Sequence, residues 1–503
     1  MPSRTTGLNW DIFLVVLEHL PRQSDVAAMS RASKKLHAAS IGYLLLPGVT
    51  ISTGAQLASF TAFLSSDVAT RAPKVRKLYF KLGVDESDLI ADMDGEDKMI
   101  WFPKNIRLVG TVLRKTTQLE DLSIDSCEEL LQCERGIFKA IIVLKNLRRL
   151  RVSSIGELTA SVFDKVKSSL VEIDYDCYHG EMDSSEEPDD PTGTIDRHRS
   201  TLQRLSASYV QVQDTDCDFP HVRALALRRI FLYDAGVLRK VFPNLEYLEL
   251  SPGVHGFDDY ELVREASRED YVDGTWNALQ HLCGSLEALY GLALTRGVKR
   301  VDVDDIDLTS ECLARLHTLI TDTSPSHLLM HVGYGDEADK VEGAKIGELL
   351  AIPEASCITH LVLDLCLSTL TGSPDHLMDG VVALLFPLSV SVFVLRLNKC
   401  VGSDEQASSA PAADDTRYNT EVYEAFQPPA YDALAHQLAV ACPHLAHVSF
   451  DVMGHVPSWW AVARSNGDVA LRQLELMVWR ELVVSEGLWF NDRTMPVGLS
   501  AYI

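Results

Sequence analysis

A short pattern of apolar residues, Leu-x-x-Leu-x-Leu, recurs along most of this 503-residue chain. The last two apolar positions of each copy are two residues apart, so they lie on the same side of a short strand. Copies begin at Leu119, Leu147, Leu170, Leu202, Val222, Leu245, Val298, Ile358, Val392, Leu445 and Leu471, with a weaker one at Val75. A repeated unit of this kind buries its apolar side against its neighbours, which predicts a stack of similar units.

Helical patterns precede several of these copies. The segments 234–242 and 431–442 both carry apolar residues at three- and four-residue spacing, and each is followed by a proline turn and then by a repeat leucine. Each unit therefore reads as helix, tight turn and short strand. The class is α/β, and the pattern fits either a repeat solenoid or an ordinary α/β domain with a mostly parallel sheet.

The first forty residues predict a separate helical module. Ile12, Val16 and Leu20 form an apolar stripe at i, i+4 and i+8, and Pro21 ends that helix. A second helix follows with Val26 and Met29 on it. Forty residues bury too little surface to hide these side chains alone, so the module either packs on the rest of the chain or docks into another protein.

This N-terminal stretch resembles an F-box. The matching positions are Leu8, Asp11, Ile12, Val16, Leu17, Leu20, Pro21, Val26 and the segment 32–36. Three positions depart from the family pattern: Asn9 replaces a proline, Ser33 a cysteine, and Leu36 an aromatic residue.

The body resembles the irregular leucine-rich repeats of F-box proteins, notably the large fungal sets. That family places Asn or Cys three residues after the last leucine, where Cys127, Cys366 and Cys400 stand here. Copy spacing varies more widely than in regular arrays. The resemblance implies an α/β chain in which an F-box-like module (5–45) and a linker with the N-terminal flank of the array (46–110) precede an irregular leucine-rich-repeat solenoid (111–503). Inserted loops are expected at 180–196 and 401–429.

The resemblance also implies a function. An F-box protein of this type is the substrate-recognition subunit of a Skp-cullin-F-box ubiquitin ligase, which binds a Skp-type adaptor and, through it, a cullin. It holds an unidentified protein target on the repeats and supplies no catalytic residue. The implied adaptor contacts are Leu8, Ile12, Val16, Leu20, Pro21, Val26, Met29 and Leu36. The candidate target contacts lie between the repeat leucines, at Arg151, Arg228, Glu249, Asp302, Asp364, Arg396, Asn398, Asp451 and Glu475. The alternative is a leucine-rich-repeat scaffold without a role in ubiquitin ligation.

Charge, cysteines and motifs limit the partners, the compartment and the activity that we expect for this chain. The formal charge of −25 argues against nucleic acid and against an anionic membrane surface. Ten cysteines without a Cys-x-x-Cys pair indicate free thiols in the cytoplasm or nucleus. The chain lacks a phosphate-binding loop and a nucleophile elbow, so we expect no enzyme, cofactor or metal site. Trp459, Trp460 and Trp479 predict either a partner surface or a cap over the last repeat.

Overall fold

The computed structural model describes residues 10–20, 23–82, 105–177, 190–213, 217–230, 235–252, 260–269, 276–295, 297–333, 340–398, 418–465 and 467–486. The chain divides into two compact units. Unit 1 is Met1–Phe231 with Lys240–Asn244, and unit 2 is Leu232–Arg239 with Leu245–Ile503.

Unit 1 begins with three helices, α1 (Trp10–His19), α2 (Gln23–Ser30) and α3 (Lys34–Leu45). Asp11 and Asp25 lie in the first turns of α1 and α2, where a negative charge is favourable next to the helix dipole. Ser33 caps α3, because its hydroxyl oxygen accepts a hydrogen bond of 3.1 Å from the backbone N–H of Leu36. The segment 32–36 thus starts a third helix.

Seven parallel strands follow in unit 1, paired in chain order. They are β1 (Val49–Ile51), β2 (Lys77–Phe80), β3 (Asp121–Ile124), β4 (Arg149–Ser153), β5 (Glu172–Asp176), β6 (Arg204–Ser208) and β7 (Ala224–Ile230). The helices are α4 (Gly54–Ser66), α5 (Val68–Arg71), α6 (Arg107–Lys115), α7 (Cys127–Cys133), α8 (Arg135–Ile141), α9 (Glu157–Lys165) and α10 (Pro191–Ile195), with 3-10 turns at Ala72–Lys74 and Asp196–His198. Helix α11 (Ala235–Val241) is divided between the two units.

Unit 2 contains a nine-stranded sheet in the order β8-β9-β10-β11-β13-β15-β16-β17-β18. Strands β8 (Tyr247–Pro252), β9 (His281–Ser285), β10 (Arg300–Ile306), β11 (His327–Val332), β13 (His360–Cys366), β15 (Val392–Asn398) and β16 (His447–Val452) are parallel, and β17 (Ser458–Ser465) and β18 (Asp468–Gln473) are antiparallel. A separate pair joins β12 (Val341–Glu342) and β14 (Leu370–Thr371).

The helices of unit 2 lie between these strands in the chain, except for the last helix, which follows β18. They are α12 (Tyr260–Glu269), α13 (Leu286–Gly291), α14 (Ser310–Thr323), α15 (Pro374–Leu385), α16 (Thr420–Ala425), α17 (Tyr431–Ala441) and α18 (Leu476–Ser485), with 3-10 turns at Gly343–Glu348, Pro353–Cys357 and Pro428–Ala430. The fold class is therefore mixed α/β with mostly parallel sheets. No helix in the described part of the chain is both long and apolar enough to cross a bilayer.

The repeat leucines are in register between adjacent strands. In unit 1, Leu78, Leu122 and Leu150 are aligned on β2, β3 and β4, and all three are fully buried. In unit 2, Leu361 and Phe393 are aligned in the same way on β13 and β15. In β4 and β5 the two-residue alternation of the sequence is thus the alternation of buried and half-buried positions, whereas β13 is buried along its whole length.

Several boundaries differ from the sequence prediction. The segment 46–110, predicted as a linker and the N-terminal flank of the array, contributes β1 and β2 to the sheet of unit 1. The predicted loops are shorter: residues 191–195 form α10, and α16 buries Val422 with the following Phe426. Their remainders, 180–189 and 401–417, lie outside the described residues. The copy at Leu471 is not a repeat, since β18 is antiparallel and α18 begins within it.

Cysteine usage agrees with the prediction at most positions. Eight cysteines are free thiols, at 127, 133, 177, 217, 283, 312, 357 and 442. Cys366 is disulfide-bonded, which contradicts the expectation of free thiols for that residue.

Candidate functional site

The N-terminal module has its own small core. Leu17, Val26 and Leu36 are buried at its centre, and Leu20 and Met29 pack against them partly buried. Val26 and Leu36 were predicted to contact an adaptor. That prediction needs correction for both, because their side chains fill the core of the module and offer almost no surface.

Helix α1 carries a second apolar stripe that faces solvent. Ile12, Val15 and Val16 are 48%, 54% and 40% exposed. Their spacing of i, i+3 and i+4 places them on one side of the helix, away from Leu17. Of the other predicted contacts, Leu8 and Pro21 lie outside the described residues.

The sequence analysis missed Val15, although the sequence held a signal for it. Trp10, Phe13, Leu14 and Leu17 face the core of the module, so the helix is apolar on both sides. A helix that is apolar all round is normally buried. Three exposed aliphatic side chains on one side of such a helix form an apolar patch on the surface of the module.

The outward face of the unit 1 strands carries a ladder of charges. Asp121, Arg149 and Glu172 are neighbours on β3, β4 and β5, and Arg149 forms ion pairs of 3.3 Å with Asp121 and 2.5 Å with Glu172. Arg151, a predicted target contact, lies 4.0 Å from both Glu172 and Asp174. About a third of its side chain is exposed, so this arginine is accessible to a partner.

The corresponding face of unit 2 carries a second charged row, which is largely buried. Asp364 and Arg396 are each 1% exposed and are neighbours on β13 and β15. His331 Nδ1 lies 3.3 Å from Asp364, and Arg396 Nε lies 3.4 Å from Asp451. Although burial lowers the pKa of His331, its hydrogen bond to Asp364 and that carboxylate's charge raise it overall.

Asp302 on β10 is also buried and paired with neighbouring side chains. Both of its oxygens accept hydrogen bonds of 2.8 Å from Arg300, and His281 Nε2 lies 2.9 Å away. Burial acts to raise the pKa of Asp302, but the charge of Arg300 and the His281 contact lower it to about 2. Asp302, Asp364 and Arg396 were predicted to touch a target. Here the structure overturns the prediction, because neighbouring strands already cover and pair them.

The other predicted target contacts are more accessible. Arg228 on β7 is half-buried, and half-buried Glu249 on β8 accepts a 2.7 Å hydrogen bond from the Tyr247 hydroxyl. Asn398 donates to Asp364 over 3.0 Å, and Asp451 is about one-third exposed. Glu475 is exposed and lies between β18 and α18.

An apolar row lies beside the charged row of unit 2. Leu329, Val362 and Val394 are in register on β11, β13 and β15, and Trp459 continues the row on β17. Helix α18 packs on this row through Trp479 and Val483. The rings of Trp459 and Trp479 lie 5.2 Å apart. Trp460 instead packs on the opposite side of the sheet with Tyr431 and Phe450. Trp460 therefore belongs to the core, whereas Trp459 and Trp479 pack together on the outward face.

Two stacked histidines hold the end of α18. The rings of His327 and His360 lie 4.0 Å apart and almost parallel. His327 Nε2 donates to the backbone carbonyl of Glu486 over 2.9 Å, and His360 Nε2 lies 3.1 Å from the Glu486 carboxylate. Burial lowers the pKa of both histidines, in His327 to about 4 with help from the neighbouring His360.

Within the described ranges, no group of three or more His, Cys, Asp or Glu side chains is arranged to hold a metal ion.

Comparison with known proteins identifies no family for this chain. No family model matches the chain, and no curated protein sequence matches it either. The function therefore has to be argued from the surfaces themselves.

Proposed function

We propose that this chain is the substrate-recognition subunit of a Skp-cullin-F-box ubiquitin ligase. One observation carries the proposal: in a module whose sequence resembles an F-box, Ile12, Val15 and Val16 form an exposed apolar stripe on α1. This stripe is the adaptor-docking face, and the adaptor joins the chain to a cullin.

The energetics of the stripe support a docking role. Burying one Val or Ile side chain contributes about 1.5–3 kcal/mol. Leu17, Val26 and Leu36 already give the module a core, so the stripe is not needed to fold it. Its burial is available to stabilise a complex.

The body of the chain supports the second half of the proposal. Parallel strands follow one another in chain order with helices or turns between them, and the repeat leucines are aligned from strand to strand. We interpret this arrangement as an irregular leucine-rich-repeat solenoid. Its outward-facing polar side chains, such as Arg151, hold the target, and the chain accelerates ubiquitin transfer by proximity. Such a ligase acts in the cytoplasm or nucleus.

The test is capture of a purified Skp-type adaptor by the full chain. We expect the wild type to bind and the Val15→Asp/Val16→Asp variant to bind at least about 100-fold more weakly. Two lost apolar contacts cost about 3 kcal/mol, and 1.4 kcal/mol is a factor of ten. Val68→Asp on α5 is the matched control, because Val68 is 40% exposed like Val16.

The outcomes separate the proposal from its alternative. If the wild type does not bind the adaptor, the leucine-rich-repeat scaffold without a ubiquitin role is the better description. If the wild type and Val15→Asp/Val16→Asp bind equally well, the adaptor does not use the α1 stripe.

A further inference from the structure

The outward face of the unit 2 strands is covered by a helix of the same chain. We call the row formed by Leu329, Val362, Val394 and Trp459 the helix-binding face. Trp479 and Val483 of α18 are buried on it, and Leu482 packs there partly buried. With Glu486, these α18 residues occupy positions i, i+3, i+4 and i+7, which is the spacing of one side of a helix.

Specific side-chain contacts hold both ends of α18 on the helix-binding face. At one end, the indoles of Trp459 and Trp479 pack together. At the other, His327 and His360 bind the backbone oxygen and the carboxylate of Glu486. Lys299, exposed next to this end, adds positive charge near the histidines. The face therefore recognises an aromatic residue, an aliphatic pair and an acidic residue in that order.

The fit of α18 leaves polar groups unsatisfied. The indole N–H groups of Trp459 and Trp479 are buried and find no acceptor among the described residues. A buried donor without a partner destabilises the state that contains it. Helix α18 is also only ten residues long, and helices of that length are marginal on their own.

A helix from another protein can correct these defects. If it carries the same four contacts and places an oxygen near the indoles, it satisfies donors that α18 leaves unpaired. We propose that the helix-binding face is a receptor for an amphipathic partner helix with an aromatic, an aliphatic pair and an acidic residue at i, i+3, i+4 and i+7, and that α18 occupies it as an intramolecular competitor. Only the identity of that helix as part of a ligase target rests on the proposed function.

The experiment measures binding of a labelled peptide that spans residues 474–487. The peptide is added to the full chain as wild type, as Val483→Asp and as Met477→Asp. Val483 is buried on the face, whereas Met477 on the same helix is 62% exposed. We expect Val483→Asp to bind the peptide at least about tenfold more tightly than the other two chains. The internal helix competes at an effective concentration in the millimolar range, and the Val483→Asp substitution weakens that competition.

The peptide sequence is tested in the same assay. A peptide with Trp479→Ala is expected to lose at least about tenfold in affinity, and one with Met477→Ala to bind unchanged. Equal binding of the native and Trp479→Ala peptides would overturn the recognition pattern. A folded Val483→Asp chain that binds no peptide would overturn the receptor itself, because α18 would then be a fixed part of the fold.

Hydrogen exchange of the unmodified chain keeps the proposal testable if Val483→Asp does not fold. We expect the α18 amides to exchange through local opening at least about 100-fold faster than those of β13 and β15. Equal protection of helix and strands overturns the proposal. Adaptor capture uses α1 and is measured separately, so loss of adaptor binding with retained peptide binding refutes the ligase function alone.

Discussion

Acidification should release α18 from the strand face of unit 2. The perturbation is a change from pH 7.5 to pH 5.0. While α18 is docked, burial and the adjacent His360 lower the pKa of His327 from 6.5 to about 4, although its hydrogen bond to the Glu486 carbonyl acts to raise it. Once α18 leaves, the ring regains water and its pKa rises towards its ordinary value. Protons therefore bind the released state more strongly, and docking is favoured less as the pH falls.

The sign and size of the pH effect follow from the pKa of His327 in the docked and in the released state. Above pH 6.5 the ring is neutral in both states, so docking keeps its full stability. Between pH 6.5 and 4 only the released state takes up the proton. At pH 5.0 this difference amounts to at most about 2 kcal/mol, or an approximately 30-fold larger open fraction. The lowered pKa of His360 acts in the same direction. Lys299 and Arg300 stay charged throughout and oppose protonation of His327 in both the docked and the released states.

The assay is hydrogen exchange of the intact chain, followed on peptides that cover α18 and corrected for intrinsic rates at each pH. His327→Phe is the control, because phenylalanine preserves an aromatic ring against His360 and does not titrate. We expect the variant to keep only the response due to His360 and the nearby His447, whose pKa burial also lowers. If α18 protection changes by less than about threefold between the two pH values, or if His327→Phe responds like the wild type, the reasoning is refuted.

Two further substitutions test the packing of the strands and helices. The buried carboxylate of Glu128 accepts hydrogen bonds from Leu158 N and from Thr159 N and Oγ1 at the start of α9. Glu128→Ala should therefore lower the free energy of unfolding in urea by about 3 kcal/mol, and the control Glu157→Ala, at an exposed position, by about nothing. A loss below about 1 kcal/mol for Glu128→Ala would mean that water replaces the carboxylate. Gly284 has a φ of +149°, and a Cβ there would lie 1.8 Å from the carbonyl oxygen of Leu250. Gly284→Ala should therefore lower the melting temperature by about 10 °C or more, and a near-native melting temperature would show that β8 and β9 can separate freely.

The strands could be predicted from the sequence and their partners could not. The spacing of Leu119, Leu122 and the following Ile124 marked β3 because alternation between the two faces of a strand is a local property. Strand β11 begins at His327 and carries no clear copy of the pattern, so it emerged only as the neighbour of β10 and β13. The helices α10 and α16 were missed because short helices in acidic or alanine-rich segments are stabilised by burial of a few side chains in the fold.

The candidate site was predicted in part for the same reason. The apolar periodicity identified α1 and two of its three exposed residues, Ile12 and Val16. Which side of an apolar helix faces solvent depends on the residues that pack against it, and Val26 and Leu36 belong to other helices of the module. Val26 and Leu36 were therefore predicted as docking residues although they fill the core of the module.

The sequence by itself determined the α/β class, the helix-then-strand unit, the alternation of buried leucines within a strand and the apolar character of α1, since each follows from the spacing of residues within one element. Only the tertiary structure decided that Asp364 and Arg396 are buried partners and that α18 covers the strand face. Those outcomes depend on side chains from strands far apart in the chain that meet across the sheet. Spacing within an element carries no information about which distant element supplies a counter-charge or a cover.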